Sequence, residues 1–153
     1  MLCAAEITIR QARSSDIAPM CDLLAGLFRI ETDFKPNIER QRQGLNMLIN
    51  AGDSAVLYVA ESGEEILGMC SIQTLISTAQ GGHVGLLEDL IVRVDQRGKG
   101  IGTALISEGI KWCGLRNISR IQLLRDSKNS AALNFYTKRG WSKTQLECMR
   151  MLL

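Results

Sequence analysis

From Arg97 to Gly102 the chain reads Arg-Gly-Lys-Gly-Ile-Gly. An apolar stretch ending Leu90-Ile91-Val92 leads into it, and a helix-like run from Thr103-Ala104-Leu105 follows. Glycines at positions 98, 100 and 102 let the backbone turn sharply and approach a ligand closely. A helix beginning there points unpaired N–H groups and the positive end of its dipole into the turn. Such a turn binds an anion, most naturally a phosphate. Spacing narrows the type. A Walker-type loop needs Ser or Thr directly after Lys99, where Gly100 stands. A dinucleotide fingerprint fails at Ile101 or Leu105, depending on its starting glycine. A second segment, Asn129-Ser130-Ala131-Ala132-Leu133-Asn134-Phe135-Tyr136, runs on to Arg139-Gly140-Trp141. Ser127 and Asn129 are helix N-cap types, and Gly140 supplies a left-handed stop.

The pattern Arg97-x-x-Gly100-x-Gly102 after a strand and before a helix resembles the pyrophosphate loop of the GNAT superfamily of acetyl-CoA-dependent N-acetyltransferases. The Asn129–Trp141 segment resembles the later motif of the same family, in the right order along the chain. The resemblance runs from about Ile7 to the end and is strongest from Glu88 to Trp141. It implies acetyl-CoA as acyl donor, with its pyrophosphate on the amides of Gly98, Lys99, Gly100, Ile101, Gly102 and Thr103. The pantetheine arm is expected along the backbone of Leu90, Ile91 and Val92, in the manner of an added strand. N–H groups there are candidates for polarising the thioester carbonyl. Arg97 and Lys99 are the expected side-chain phosphate contacts, with a solvated surface role open for Lys99. Asn129 is expected near the pantetheine, as a helix cap, or as both.

The implied reaction is direct attack of a neutral amine on the thioester, so some group must accept a proton. Glu88 and Asp89 are adjacent carboxylates just upstream of the loop. Strand alternation is expected to send them to opposite faces. Glu88 matches the family's carboxylate position and is the first choice, with Asp89 second. A role confined to binding cations or salt bridging stays open for either. Tyr136 is the expected general acid for the departing thiolate, against a plain core aromatic beside Phe135. The acceptor-shaping segments of the family correspond to Phe28–Pro36 and Ser142–Leu146. Within and beside the first, Glu31, Asp33 and Glu39 offer negative charge to a cationic amine, but Arg29, Lys35 and Arg40 are interleaved with them.

A chain of 153 residues, 46% hydrophobic and 22% charged, reads as a single globular domain over 1–153 with an ordinary composition. A formal charge of +2 without blocks of like charge argues against a nucleic-acid binder. No secretory signal is visible at the N-terminus, and no apolar run nears the ~18 residues that span a bilayer. Cys3, Cys21, Cys70, Cys113 and Cys148 are dispersed and odd in number, which suits small buried hydrophobes in a cytoplasmic protein. The single histidine, His83, suits a solvent-facing strand start, with a role as base near Glu88 left open. No metal site is expected. A homodimer is suggested by family habit alone.

The elements that must position these residues follow from periodicity. Strands are expected at Ile7–Arg10, Ala55–Ala60, Ile66–Ile76, His83–Val94 and Arg120–Leu124. Helices are expected at Ile17–Phe28, Ile38–Asn50, from the glycine turn to Trp112 or Cys113 with Gly114 as cap, and over Ala131–Lys138. Trp141–Leu153 suits one or two closing strands. The order predicts an α/β fold: a mixed, mostly antiparallel central sheet flanked by helices. The strand before the glycine turn and the one at Arg120 would run parallel, joined by a right-handed helical crossover. In the family these two strands splay apart around the pantetheine. The acceptor is read as a small-molecule primary amine. The alternatives are a protein or peptide amine, and a non-catalytic acyl-CoA sensor.

Overall fold

The computed structural model describes residues 6–29 and 35–153. Contacts gather into two compact units, Met1–Gln122 and Leu123–Leu153. Five strands form one sheet in sequential order: β1 (Thr8–Gln11), β2 (Ala55–Ser62), β3 (Glu65–Ser77), β4 (Gly82–Val92) and β5 (Ile121–Leu123). The pairs β1–β2, β2–β3 and β3–β4 are antiparallel. Helix α3 (Ile101–Gly114) connects β4 to β5, and the Gly85 amide donates to the Arg120 carbonyl at 2.8 Å.

In the first unit the apolar spacing of α1 (Ile17–Phe28) puts Met20, Leu23 and Leu24 on one stripe. That stripe packs with Leu45 of α2 (Ile38–Ile49) against Leu57, Val59, Met69 and Ile91 of the sheet. The Asn37 side chain caps α2 by accepting from the Arg40 amide at 3.0 Å. The neighbouring parity of β3 faces α3. A Cβ placed on Gly68 would lie 3.2 Å from Leu105, and one on Gly109 would lie 2.5 Å from Ile72. Helices therefore cover both faces of β3, whose residues 66–72 are all buried.

The start of α1 is fixed by charge. Arg10 of β1 donates to Asp16 at 2.7 and 3.0 Å and to Glu61 of β2 at 2.6 and 2.9 Å. Asp16 also accepts the Arg13 amide at 2.7 Å. The Arg10 guanidinium holds the Asp16 carboxyl below the usual carboxylate range, against the opposing effect of burial.

Several expectations change. Strand β4 ends at Val92 instead of Val94, because Val94–Gln96 forms a 3-10 turn. There Arg93 bonds Asp95 and Glu65. Gly114 is the last residue of α3, not its stop; the left-handed residue lies further on, at Asn117 (φ 56°).

In the second unit, helix α4 (Ser130–Thr137) is capped by Asn129, whose Oδ1 accepts the Ala132 amide at 2.9 Å. Gly140 follows with φ 83°. The expected closing strands over Trp141–Leu153 are not formed. Every residue of 142–153 is exposed, so no buried face exists there to fix a strand register.

Candidate active site

The end of β4 departs from regular pairing. Met69 pairs with Ile91 and Ser71 with Glu88, so Cys70 of β3 stands opposite two residues, Asp89 and Leu90. This is a β-bulge, and Asp89 within it has φ 51°. Aspartate tolerates the left-handed region better than most L residues. The bulge breaks regular alternation beyond Glu88, over Asp89 and Leu90. Paired residues share a face, so Glu88 lies on the α1 side with Ser71, while Leu87 lies with Ile72 on the α3 side. Ile91, three residues beyond Glu88, returns to the α1 side, which a regular strand would forbid.

Two β3 side chains hold Glu88. The Ser71 hydroxyl, 0% exposed, donates to the Glu88 carbonyl at 3.2 Å. Gln73 Nε2 donates to the Glu88 carboxylate at 3.2 Å. Sequence reasoning passed over both. The available signal was a polar Ser71 inside the apolar run Met69-Cys70-Ser71-Ile72. His83, by contrast, is exposed at the start of β4 opposite Ile76, as a surface residue would be.

Beyond β4 the glycine turn is held by its own side chains. Arg97 Nε donates to the Val92 carbonyl at 3.0 Å, and Lys99 Nζ to Gln96 Oε1 at 2.9 Å. Gly98 (φ 76°) and Gly100 (φ 84°) adopt the left-handed conformation that only glycine enters cheaply. Gly102 is helical, in the first turn of α3. A Cβ at Gly98 or Gly100 would meet nothing within 4 Å, so both open onto free space. Gly100 is the N-cap of α3 and provides no side-chain cap, unlike Asn37 and Asn129 at α2 and α4. Helical geometry gives the first amides of α3, those of Ile101 and Gly102, no carbonyl one turn back within the helix. An open glycine turn leading into a helix without a side-chain cap fits a diphosphate.

In the second unit, Asn129 begins α4 and Tyr136 lies in its last turn, half-buried. The Tyr136 ring meets Phe135 edge-on at 5.2 Å and Trp141 at 5.5 Å. Arg139 stacks over Phe135 at 3.7 Å. The Asn129 carbonyl also accepts from Arg125 Nη1 at 3.1 Å.

Other chemistry recedes. Burial pushes the Cys70 thiol up to about 12 and the Cys113 thiol to about 11, which suppresses the reactive thiolate at neutral pH. Cys21 is also buried and Cys148 exposed; Cys3 lies outside the described residues. Among the described residues no group of three His, Cys, Asp or Glu is placed to hold a metal, and no helix is long and apolar enough to cross a membrane. Of the expected acceptor-side acids, Glu31 and Asp33 lie outside the described residues. Glu39 is exposed on the first turn of α2, lining a shallow cleft with Ser14, Ile17, Arg42 and Asn46. A second cleft is lined by Gln11, Leu48, Asp53, Trp112 and Arg116. Neither of these two clefts is lined by the bulge or the glycine turn.

A mixed sheet whose fourth strand leads through a glycine turn into a helix is the order of elements that the resemblance to acetyl-CoA-dependent N-acetyltransferases implies. The family model of the Acetyltransferase (GNAT) family matches residues 20–141, and the chain belongs to that family. It is an acyltransferase. It is 25% identical over 143 residues to the uncharacterized N-acetyltransferase YhfO of Bacillus subtilis (strain 168), covering 90% of this chain and 91% of that one. Its fold matches the crystal structure of a transcriptional regulator from Bacillus halodurans C-125 with a TM-score of 0.83 and 27% identity, over 97% of this chain and all of that one. It also matches a predicted acetyltransferase with acetyl-CoA from Clostridium acetobutylicum, with a TM-score of 0.77 and 21% identity over 96% of each chain.

Proposed function

We propose that the chain, acting as one domain, moves an acetyl group from acetyl-CoA to a primary amine of a small molecule by direct attack. The observation that carries this reading is the open, left-handed Gly98–Gly100 turn running into the start of α3. Amides from Gly98 to Thr103 bind the diphosphate, and the backbone of Leu90, Ile91 and Val92 carries the pantetheine arm. The role of Arg97 shifts toward bracing the turn, since its Nε is bonded to the Val92 carbonyl. Lys99 adds positive charge at the rim.

Glu88 takes the proton of the attacking amine, directly or through water, and Asp89 is the second candidate. As the amine nitrogen bonds the acetyl carbon, the carbon–sulfur bond breaks and the thiolate leaves. Tyr136 gives that sulfur a proton. A thiol of pKa about 8.5 leaves fairly well unaided, so this help is useful without being indispensable. Asn129 spends its Oδ1 on capping α4, which leaves its amide nitrogen as the group for a cofactor contact. Among the described residues the cysteines are dispersed and free, which suits a reducing compartment, and the cytoplasm is the proposed location.

The test is release of free CoA thiol from acetyl-CoA across spermidine, kanamycin, amino-acid amides and a lysine peptide. Turnover with a small amine supports the reading, and turnover with the peptide alone moves the acceptor to protein. The fold match to a transcriptional regulator favours one competing reading, an acyl-CoA sensor. Tight acetyl-CoA binding by calorimetry, with silence across the panel, would select it.

A further inference from the structure

The β4 bulge can in principle be lost by sliding one stretch of the strand by a residue. Ile91 is 6% exposed in the core beneath α1, opposite Met69, so the lower part of β4 is locked. A slip would therefore move the upper part, and a one-residue slip sends each side chain to the other face. Glu88 would pass from the α1 side to the α3 side. The bulge that prevents this holds Asp89 in a left-handed conformation, which costs even an aspartate some free energy and so needs support from its surroundings. Ser71 is a buried group that grips the bulge at its Glu88 side. Its hydroxyl is fully buried at the centre of the sheet, bonds the Glu88 carbonyl at 3.2 Å, and has no water to turn to if that bond is lost.

We propose that Ser71 is a positioning residue: its buried hydroxyl holds the β4 bulge in the register that keeps the Glu88 side chain on the α1 face of the sheet. The inference rests on the reading of Glu88 as base. Gln73, two residues on and on the same face, then steadies the carboxylate from the same strand.

The experiment compares Ser71→Ala and Ser71→Thr with the native chain. The conformation of Asp89 is read from its backbone carbon shifts and HN–Hα coupling. Acetyl-CoA Kd is measured by calorimetry, and kcat by thiol release with whichever of spermidine, kanamycin or an amino-acid amide is turned over. In Ser71→Ala, Asp89 leaves the left-handed region, kcat falls about tenfold or more, and Kd stays within about twofold. Ser71→Thr, which keeps the hydroxyl, restores both signatures. An unchanged Asp89, an unchanged kcat, a parallel loss of acetyl-CoA binding, or failure of the folded threonine variant to rescue would each overturn the inference. If Ser71→Ala does not fold, Ser71→Cys, of similar size and with a weaker donor, takes its place. Glu88→Gln keeps the backbone bond and tests the base separately. Full turnover there defeats the base reading and leaves the Asp89 spectrum alone to judge Ser71.

Discussion

Tyr136 packs edge-on between Phe135 and Trp141, so removing its hydroxyl leaves the ring's contacts in place. Tyr136→Phe should lower kcat by about tenfold or more with acetyl-CoA binding nearly unchanged; equal turnover would reduce the tyrosine to packing. Asp16 gives a second prediction. Its carboxyl is held below its ordinary pKa by Arg10, so its contribution is complete above about pH 4, the unfolded-state value, and is lost as pH falls through the lowered folded value. Asp16→Asn should therefore cost about 2 kcal/mol in urea unfolding at pH 7, with the two proteins converging in strong acid. Convergence at higher pH, or no loss at pH 7, would contradict this. Asn129 and the glycines were legible in the sequence because their types are tied to caps, stops and turns, whereas Tyr136 is singled out only by the family resemblance. Ser71 and Gln73 were not, because their importance depends on which β4 residue they face, and pairing leaves no mark in one strand's own sequence.

Helix α1 was readable to the residue, since its apolar stripe defines its face and Asp16, a helix N-cap type, stands just before its first residue. The bulge was not. Residues 84–92 read Val-Gly-Leu-Leu-Glu-Asp-Leu-Ile-Val, where apolar neighbours on both parities hide any shift in alternation. The closing strands failed for a related reason: apolar residues at 146, 149 and 151–153 suggest a pattern, but nothing buries it. Close approach between elements supplies a further prediction. A Cβ on Gly68 would lie 2.7 Å from the Ile91 carbonyl oxygen, a backbone atom that cannot step aside. Gly68→Ala should destabilise by about 2–3 kcal/mol in chemical denaturation by forcing β3 from β4. Gly100→Val should act differently. The left-handed N-cap of α3 excludes a β-branched residue, so acetyl-CoA binding by calorimetry should be abolished. Retained binding would remove the turn from the site.

Across the whole molecule, each compact unit carries one of the chain's two tryptophans. Trp112 is 4% exposed in the first unit, with the Arg116 guanidinium 4.3 Å above its ring. Trp141 is half-buried in the second, beside Tyr136. Intrinsic emission thus comes with two separate reporters: a dry indole shielded by a cation, and a wetter one next to the tyrosine. Replacing either by phenylalanine leaves a single-colour probe, bluer for Trp112 and redder for Trp141. Heating the two single-tryptophan proteins would then show whether the two units melt at one temperature or at two, with no dye attached.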